Sequence, residues 1–158
     1  MHDMFMKVPR VNGRARTEGR DEWCNILGLN WSASRPQVSQ TGTGRGVLSF
    51  RNVDVIKRVD AASVSLFRQM CTNALLNEVV FEMVRTGGND LVEARFTLRN
   101  AVIVGIDFAA EGSGPTATNT ERVSFQYSEI EYEVETLDHR GESDGVITAN
   151  YSLRDGAG

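Results

Sequence analysis

Apolar and polar residues alternate through most of this chain, the pattern of half-buried β-strands. Met4 to Val8 alternates, and Trp23 to Ala33 does so over a longer run. There Leu27, Leu29 and Trp31 point one way, while Ile26, Gly28, Asn30 and Ser32 point the other. The pattern returns from Val47 to Val59, with an irregularity near Asn52. Glu78–Arg85 and Leu91–Leu98 flank the turn Thr86-Gly87-Gly88-Asn89-Asp90 and predict a hairpin. Val102, Val104, Ile106 and Phe108 predict a further strand. Val123, Phe125 and Tyr127 share a face, after which the apolar set becomes Ile130, Tyr132 and Val134. Such a phase flip inside one strand predicts a β-bulge. Val146 to Leu153 ends the pattern, after a polar turn from His139 to Gly145.

One segment breaks the period of two. Asp60 is a good N-cap with Ser63 three positions on, so a helix is predicted over Ala61–Thr72. Its i,i+4 apolar pairs, Leu66 with Met70 and Phe67 with Cys71, are expected on one face, covering an opening or a face of the sheet. Eight or so strands and one helix predict a mainly β fold: a compact β-barrel of two packed antiparallel sheets with one short flanking helix. The 158 residues leave room for one domain, taken as 1–158.

Two segments carry no strand signal. Arg10 to Arg20 is a polar, arginine-rich connection containing the turn dipeptide Asn12-Gly13. Ser34 to Gly46 is a loop of about 13 residues that ends with glycine at every second position. Loops this long are usually functional or disordered. An antiparallel sheet must also close, cover its edges or pair with another chain. A glycine-rich excursion between two strands is well placed to reach a neighbour, so self-association is expected.

Composition removes several classes. With 41% apolar and 24% charged residues the chain has the balance of a globular protein. Its net charge of −4 gives no general attraction to nucleic acid or an anionic membrane. No run approaches 18 apolar residues, and Met1 to Lys7 lacks the features of a signal peptide. Cys24 and Cys71 are isolated and expected to be small buried apolar residues, with no spacing for a zinc site.

Candidate chemistry is sparse. His2 and His139 are the two imidazoles, each in a polar, exposed segment. Gly42-Thr43-Gly44-Arg45-Gly46 lacks the Lys-Ser/Thr and helix that follow a phosphate loop. No catalytic, cofactor or metal residues are therefore assigned, and no enzyme is expected. Glu129, Glu131, Glu133 and Glu135 recur at i+2 and share a strand face. They form either a solvated face or a stripe for a basic surface, and Arg10, Arg14, Arg16 and Arg20 make the complementary patch. Such pairs, repeated around an oligomer, set register.

The order of these elements resembles a known family. Met4-Phe5-Met6-Lys7-Val8, followed by a turn at Gly13, is similar to the Met-Phe-x-Lys-hydrophobic opening of the Hcp proteins of the bacterial type VI secretion system. Ile26-Leu27-Gly28-Leu29-Asn30-Trp31 resembles that family's strand ending in an aromatic residue before a small, polar loop. Val55-x-Lys57-x-x-Asp60-x-x-Ser63-x-x-Leu66 resembles its strand-to-helix segment. Glu121-Arg122-Val123-Ser124-Phe125 through Ile130-x-Tyr132 resembles its late strand. The likeness runs from about Met4 to Leu153. The sequence departs at Asn12-Gly13-Arg14-Ala15, where the family commonly has Gly-Glu-Ser, and at Val64, where proline is commoner.

The resemblance implies a tight β-barrel with a flanking helix, in hexameric rings stacked into a secreted tube. Its partners would be copies of itself, the sheath, spike and baseplate proteins, and effectors carried in the lumen, with no nucleic acid and no membrane insertion. The chain would be made in the cytoplasm and secreted through the type VI system without a signal peptide. By position, Gln40, Thr41, Gly42, Thr43, Gly44, Arg45 and Gly46 would contact an adjacent subunit or ring. Asn30 and Ser32 would line the lumen. A phage or contractile-particle tail-tube protein and a monomeric β-barrel ligand-binding module are the alternatives.

Overall fold

A computed structural model describes residues 2–35, 48–87 and 91–153. The expected contact loop at Gln40, Thr41, Gly42, Thr43, Gly44, Arg45 and Gly46 lies outside the described residues. The alternating segments form β1 (His2–Lys7), β2 (Cys24–Ile26), β3 (Gly28–Asn30), β4 (Ala33–Ser34), β5 (Ser49–Phe50), β6 (Val53–Arg58), β7 (Leu76–Arg85), β8 (Leu91–Glu111), β9 (Thr118–Gln126), β10 (Glu129–Leu137) and β11 (Ser143–Ser152). One α-helix, α1 (Ala61–Cys71), follows β6.

Two antiparallel sheets share β8. Its first half pairs with β7 on one side and β10 on the other, extending to β1–β2 and to β11. Its second half pairs with β9, followed by β6 and β3. β4 and β5 form a separate two-stranded ribbon. The two strands expected at Leu91–Leu98 and Val102–Phe108 are thus one strand of 21 residues. Asn100 sits at its corner with φ 52, a left-handed conformation that asparagine tolerates better than most residues. A register shift between Ile103 and Gly105 completes the bend. The sheets face each other as expected, but the barrel does not close.

Sequence periodicity misreads the places where the chain changes sheet. The flip between Tyr127 and Ile130 is not a bulge: Tyr127 and Ser128 separate β9, in the second sheet, from β10, in the first. Both sheets aim inward at one core, so a strand entering the opposite sheet restarts its alternation. The same happens at Leu27, which is half-exposed between β2 and β3 and does not share a buried face with Leu29 and Trp31.

Val53, Val55, Val123 and Phe125 from the second sheet meet Met6, Val79, Phe81, Leu98 and Ile130 from the first. Phe81 and Phe125 contact edge to face at 5.7 Å between ring centres. Helix α1 covers one side of this core with Ala62 and Leu66, and Met70 packs beside them. Full burial of Leu66 contributes roughly 1.5–3 kcal/mol. The pair Phe67 and Cys71 is not on this face. Neighbouring helical residues stand about 100° apart, so Phe67 turns away from the core that Leu66 enters and is 57% exposed. Cys71 is exposed as well, and only Cys24 is the buried cysteine expected.

Candidate functional site

The outer face of the first sheet is charged. Glu129, Glu131 and Glu133 of β10 stand opposite Arg99, Thr97 and Arg95 of β8 in register. Arg99 Nη2 donates to Glu131 Oε2 at 2.9 Å and lies 3.6 Å from Glu129; Arg95 Nη1 donates to Glu133 Oε2 at 2.7 Å. Arg95 also reaches Glu82 of β7, whose other oxygen accepts two bonds from Arg20, at 2.9 and 2.6 Å. Burial alone would lower the Arg95 pKa, but Glu82 and Glu133 outweigh it and hold the guanidinium charged. The hydrogen bond to Glu131 does the same for Arg99. Within the chain, Glu129, Glu131 and Glu133 of the carboxylate stripe are therefore paired with β8, a partner the sequence reading missed, while Glu135 has no ion pair among the described residues. Its signal was present, since Arg95, Thr97 and Arg99 repeat at i+2.

The arginines of the first connection go to different places. Arg20 lies over the rings of Phe5 and Trp23, at 5.1 and 5.8 Å, and pins the connection onto a small cluster of Phe5, Ala15 and Val84. Arg10 reaches the end of α1, donating to Gln69 Oε1 and the Leu75 carbonyl. Arg14 and Arg16 are exposed. Arg10 and Arg14 hold left-handed φ values of 63° and 54°, and the Asn12 side chain caps the Arg14 amide at 3.1 Å. Gly13 admits no side chain, because a Cβ there would lie 2.3 Å from the Trp23 carbonyl oxygen.

Asn30 and Ser32 are both exposed. Asn30 sits in a polar row across β3, β6 and β9, beside Asp54, which in turn lies beside Ser124. The neighbouring row reads Gly28, Ile56, Arg122 and Asp107. Together these residues make the outer face of the second sheet largely polar, with Ile56 as an exposed apolar side chain in it. Trp31 closes the end of this strand, donating from Nε1 to the Tyr127 hydroxyl, which donates to the Arg51 carbonyl, both at 2.7 Å. Burial pushes the Tyr127 pKa up, partly offset by the Trp31 bond.

A second missed feature is buried. Lys57, Asp60, Ser63 and Glu121 join β6, the α1 cap and β9 in one hydrogen-bonded group. His2 pairs with Glu93 at 2.8 Å. Among the described residues, no three His, Cys, Asp or Glu side chains are grouped to hold a metal ion. What the surface does offer is open edges and exposed apolar side chains, including Val64, Phe67, Val104, Phe108, Val146 and Ile147.

The chain matches, over residues 5–134, the family model described as type VI secretion system effector, Hcp. No curated protein matches it in sequence. Among solved structures it is similar to one described as a type six secretion system protein, with TM-score 0.90 and 21% identity over 99% of this chain and 98% of that one. Hcp1 from Salmonella typhimurium gives 0.78 and 21% over 98% and 96% of the two chains. A type VI secretion system effector from Yersinia pestis gives 0.74 and 21% over 95% and 99%. At these identities the structural likeness shows a shared fold.

Proposed function

This chain belongs to the Hcp family of type VI secretion proteins, and we propose that it is a structural, non-enzymatic subunit, a single domain over 1–158, that assembles into hexameric rings stacked as the secreted tube. The observation that carries this reading is the open architecture of the sheets. Among the described residues, β11 pairs only with β10, β3 only with β6, and the second half of β8 only with β9. Each leaves a row of backbone donors and acceptors for another chain. Closed contacts between unlike surfaces build rings.

On this reading the largely polar face around Asn30, Asp54 and Ser124 lines the lumen, where it lets protein cargo pass without strong adhesion. Ser32 continues it. Gln40–Gly46 reaches the neighbouring subunit or ring. The chain is made in the cytoplasm and exported with the tube, and sheath, spike and baseplate proteins are its further partners. No helix among the described residues is long and apolar enough to cross a membrane.

Light scattering combined with electron microscopy of the purified protein tests the proposal. The expected result is a particle of about six chain masses with a ring outline and an open centre. A strict monomer at high concentration overturns it.

A further inference from the structure

One row of the first sheet runs across six strands. Ile26 pairs with Met4, Met4 with Met83, Met83 with Ala94, Ala94 with Val134 and Val134 with Ile147. All six side chains are apolar and aim at the core side. Ile26 at one end is 5% exposed, Met4, Ala94 and Val134 are half-buried, Met83 is 37% exposed, and Ile147 at the other end is 67% exposed. In the next row Phe96 and Tyr132 stack at 4.6 Å, yet Tyr132 remains 44% exposed. On β11 Tyr151 is stacked under Phe50 at 4.9 Å, but towards the β10–β11 turn the same core-type face carries Ile147 uncovered among the described residues. The opposite face of the β10–β11 ribbon already has Glu129, Glu131 and Glu133 bound to arginines.

A fitting surface lies on α1. Val64, Phe67, Arg68 and Cys71 form a stripe opposite Ala62 and Leu66, and all four are exposed. The helix contains no acidic residue, and Arg10 adds a second positive charge at its C-terminal end. The turn end of the ribbon has the opposite sign: Glu142 and Asp144 are exposed and not ion-paired among the described residues, against one arginine, Arg140. In its own chain α1 is fixed by buried Leu66 and by the Asp60–Ser63 cap, with its stripe turned outward.

We propose that the apolar face of the β10–β11 ribbon seats the Val64–Phe67–Arg68–Cys71 stripe of α1 from a second copy of this chain. The proposal rests on the self-assembly read above and assigns it a surface. Because the two patches differ, a bound pair keeps one free ribbon and one free helix, and the contact propagates until a ring closes.

Phe67→Asp and Ile147→Asp test this, with circular dichroism to check the fold and light scattering to read the mass. Each variant alone is expected to stay monomeric at concentrations where the parent chain assembles, needing at least about tenfold more protein to associate. Mixed one to one, they retain a single intact contact between an unaltered helix and an unaltered ribbon, and give heterodimers that cannot close. If both variants assemble like the parent, or if the mixture stays monomeric, this contact is overturned while the ring proposal stands. A monomeric parent chain overturns the ring proposal itself. Should either aspartate variant lose its fold, Arg68→Glu and Asp144→Arg give the same readouts with the same meaning.

Discussion

Lys57 places its Nζ 2.9 Å from Glu121 Oε1 with both side chains buried, so β6 and β9 are joined by an ion pair inside the core. Asp60 Oδ1 and the Arg58 carbonyl accept from the same ammonium at 2.8 Å. Ser63 Oγ donates to Glu121 at 2.7 Å and accepts from the Asp60 amide at 3.0 Å. The charge pair and the helix cap are one structure. Removing one partner strands a buried charge, so Lys57→Met is expected to cost about 3–5 kcal/mol. Lys57→Met with Glu121→Leu is expected to lose less than the single change. Urea unfolding at one protein concentration checks this, since assembly adds to apparent stability. A double variant weaker than Lys57→Met shows that the stranded charge is not the cost.

Arg20 fastens the first connection to Glu82. Arg20→Ala should cost about 2 kcal/mol, the scale of hydrogen bonds to a charged group. It should also speed hydrogen exchange at Gly13 and Ala15, whose amides bond to the Glu22 and Trp23 carbonyls, while β6 and β9 amides are unchanged. Equal loss of protection throughout would show that Arg20 supports the whole fold instead.

Gly13→Ala is expected to destabilise by about 1–3 kcal/mol, because the blocking atoms are Trp23 and Cys24 backbone and cannot turn aside as a side chain can. A thermal melt unchanged within a degree would show that the connection shifts freely.

Burial pushes the Cys24 thiol up from 9.0 to about 11. The folded state then holds its proton where the unfolded state has lost it. Stability from this group is complete below pH 9 and falls as pH rises towards 11, by about 2–3 kcal/mol. Cys24→Ala should flatten that part of the profile. In chains kept monomeric by Ile147→Asp, a thiol reagent at pH 8 should label exposed Cys71 and reach Cys24 only after unfolding.

Deleting Thr41–Gly46 is expected to abolish ring formation or stacking in electron micrographs. Rings and stacks both unaltered would remove this segment from the assembly.

The strand order and the helix could be read from the chain because each depends on neighbours in sequence. Asp60 and Ser63 announced the cap that the structure shows, with both reciprocal bonds in place. Val53, Val55, Val123 and Phe125 announced a buried face. What could not be read were long-range choices. Phe67 and Leu66 are equally apolar, and only the position of the core decides that Leu66 is buried. The glutamate stripe was visible as a row, but its partners, Arg95 and Arg99, come from a strand 30 or so positions away that the register happens to place beside it.

By itself, then, the sequence determined a mainly β chain with one capped helix, no candidate catalytic cluster and family motifs spread over most of its length. Alternation, capping and motif order are local properties, so one strand of text suffices to hold them. Tertiary structure decided where the chain changes sheet, at Leu27 and at Tyr127–Ser128, that β8 is one bent strand in both sheets, and that Lys57 is buried on Glu121. It also decided that a core-type row ends at Ile147, uncovered among the described residues. Packing is a property of surfaces brought together from distant positions, and no local pattern of residues can announce it.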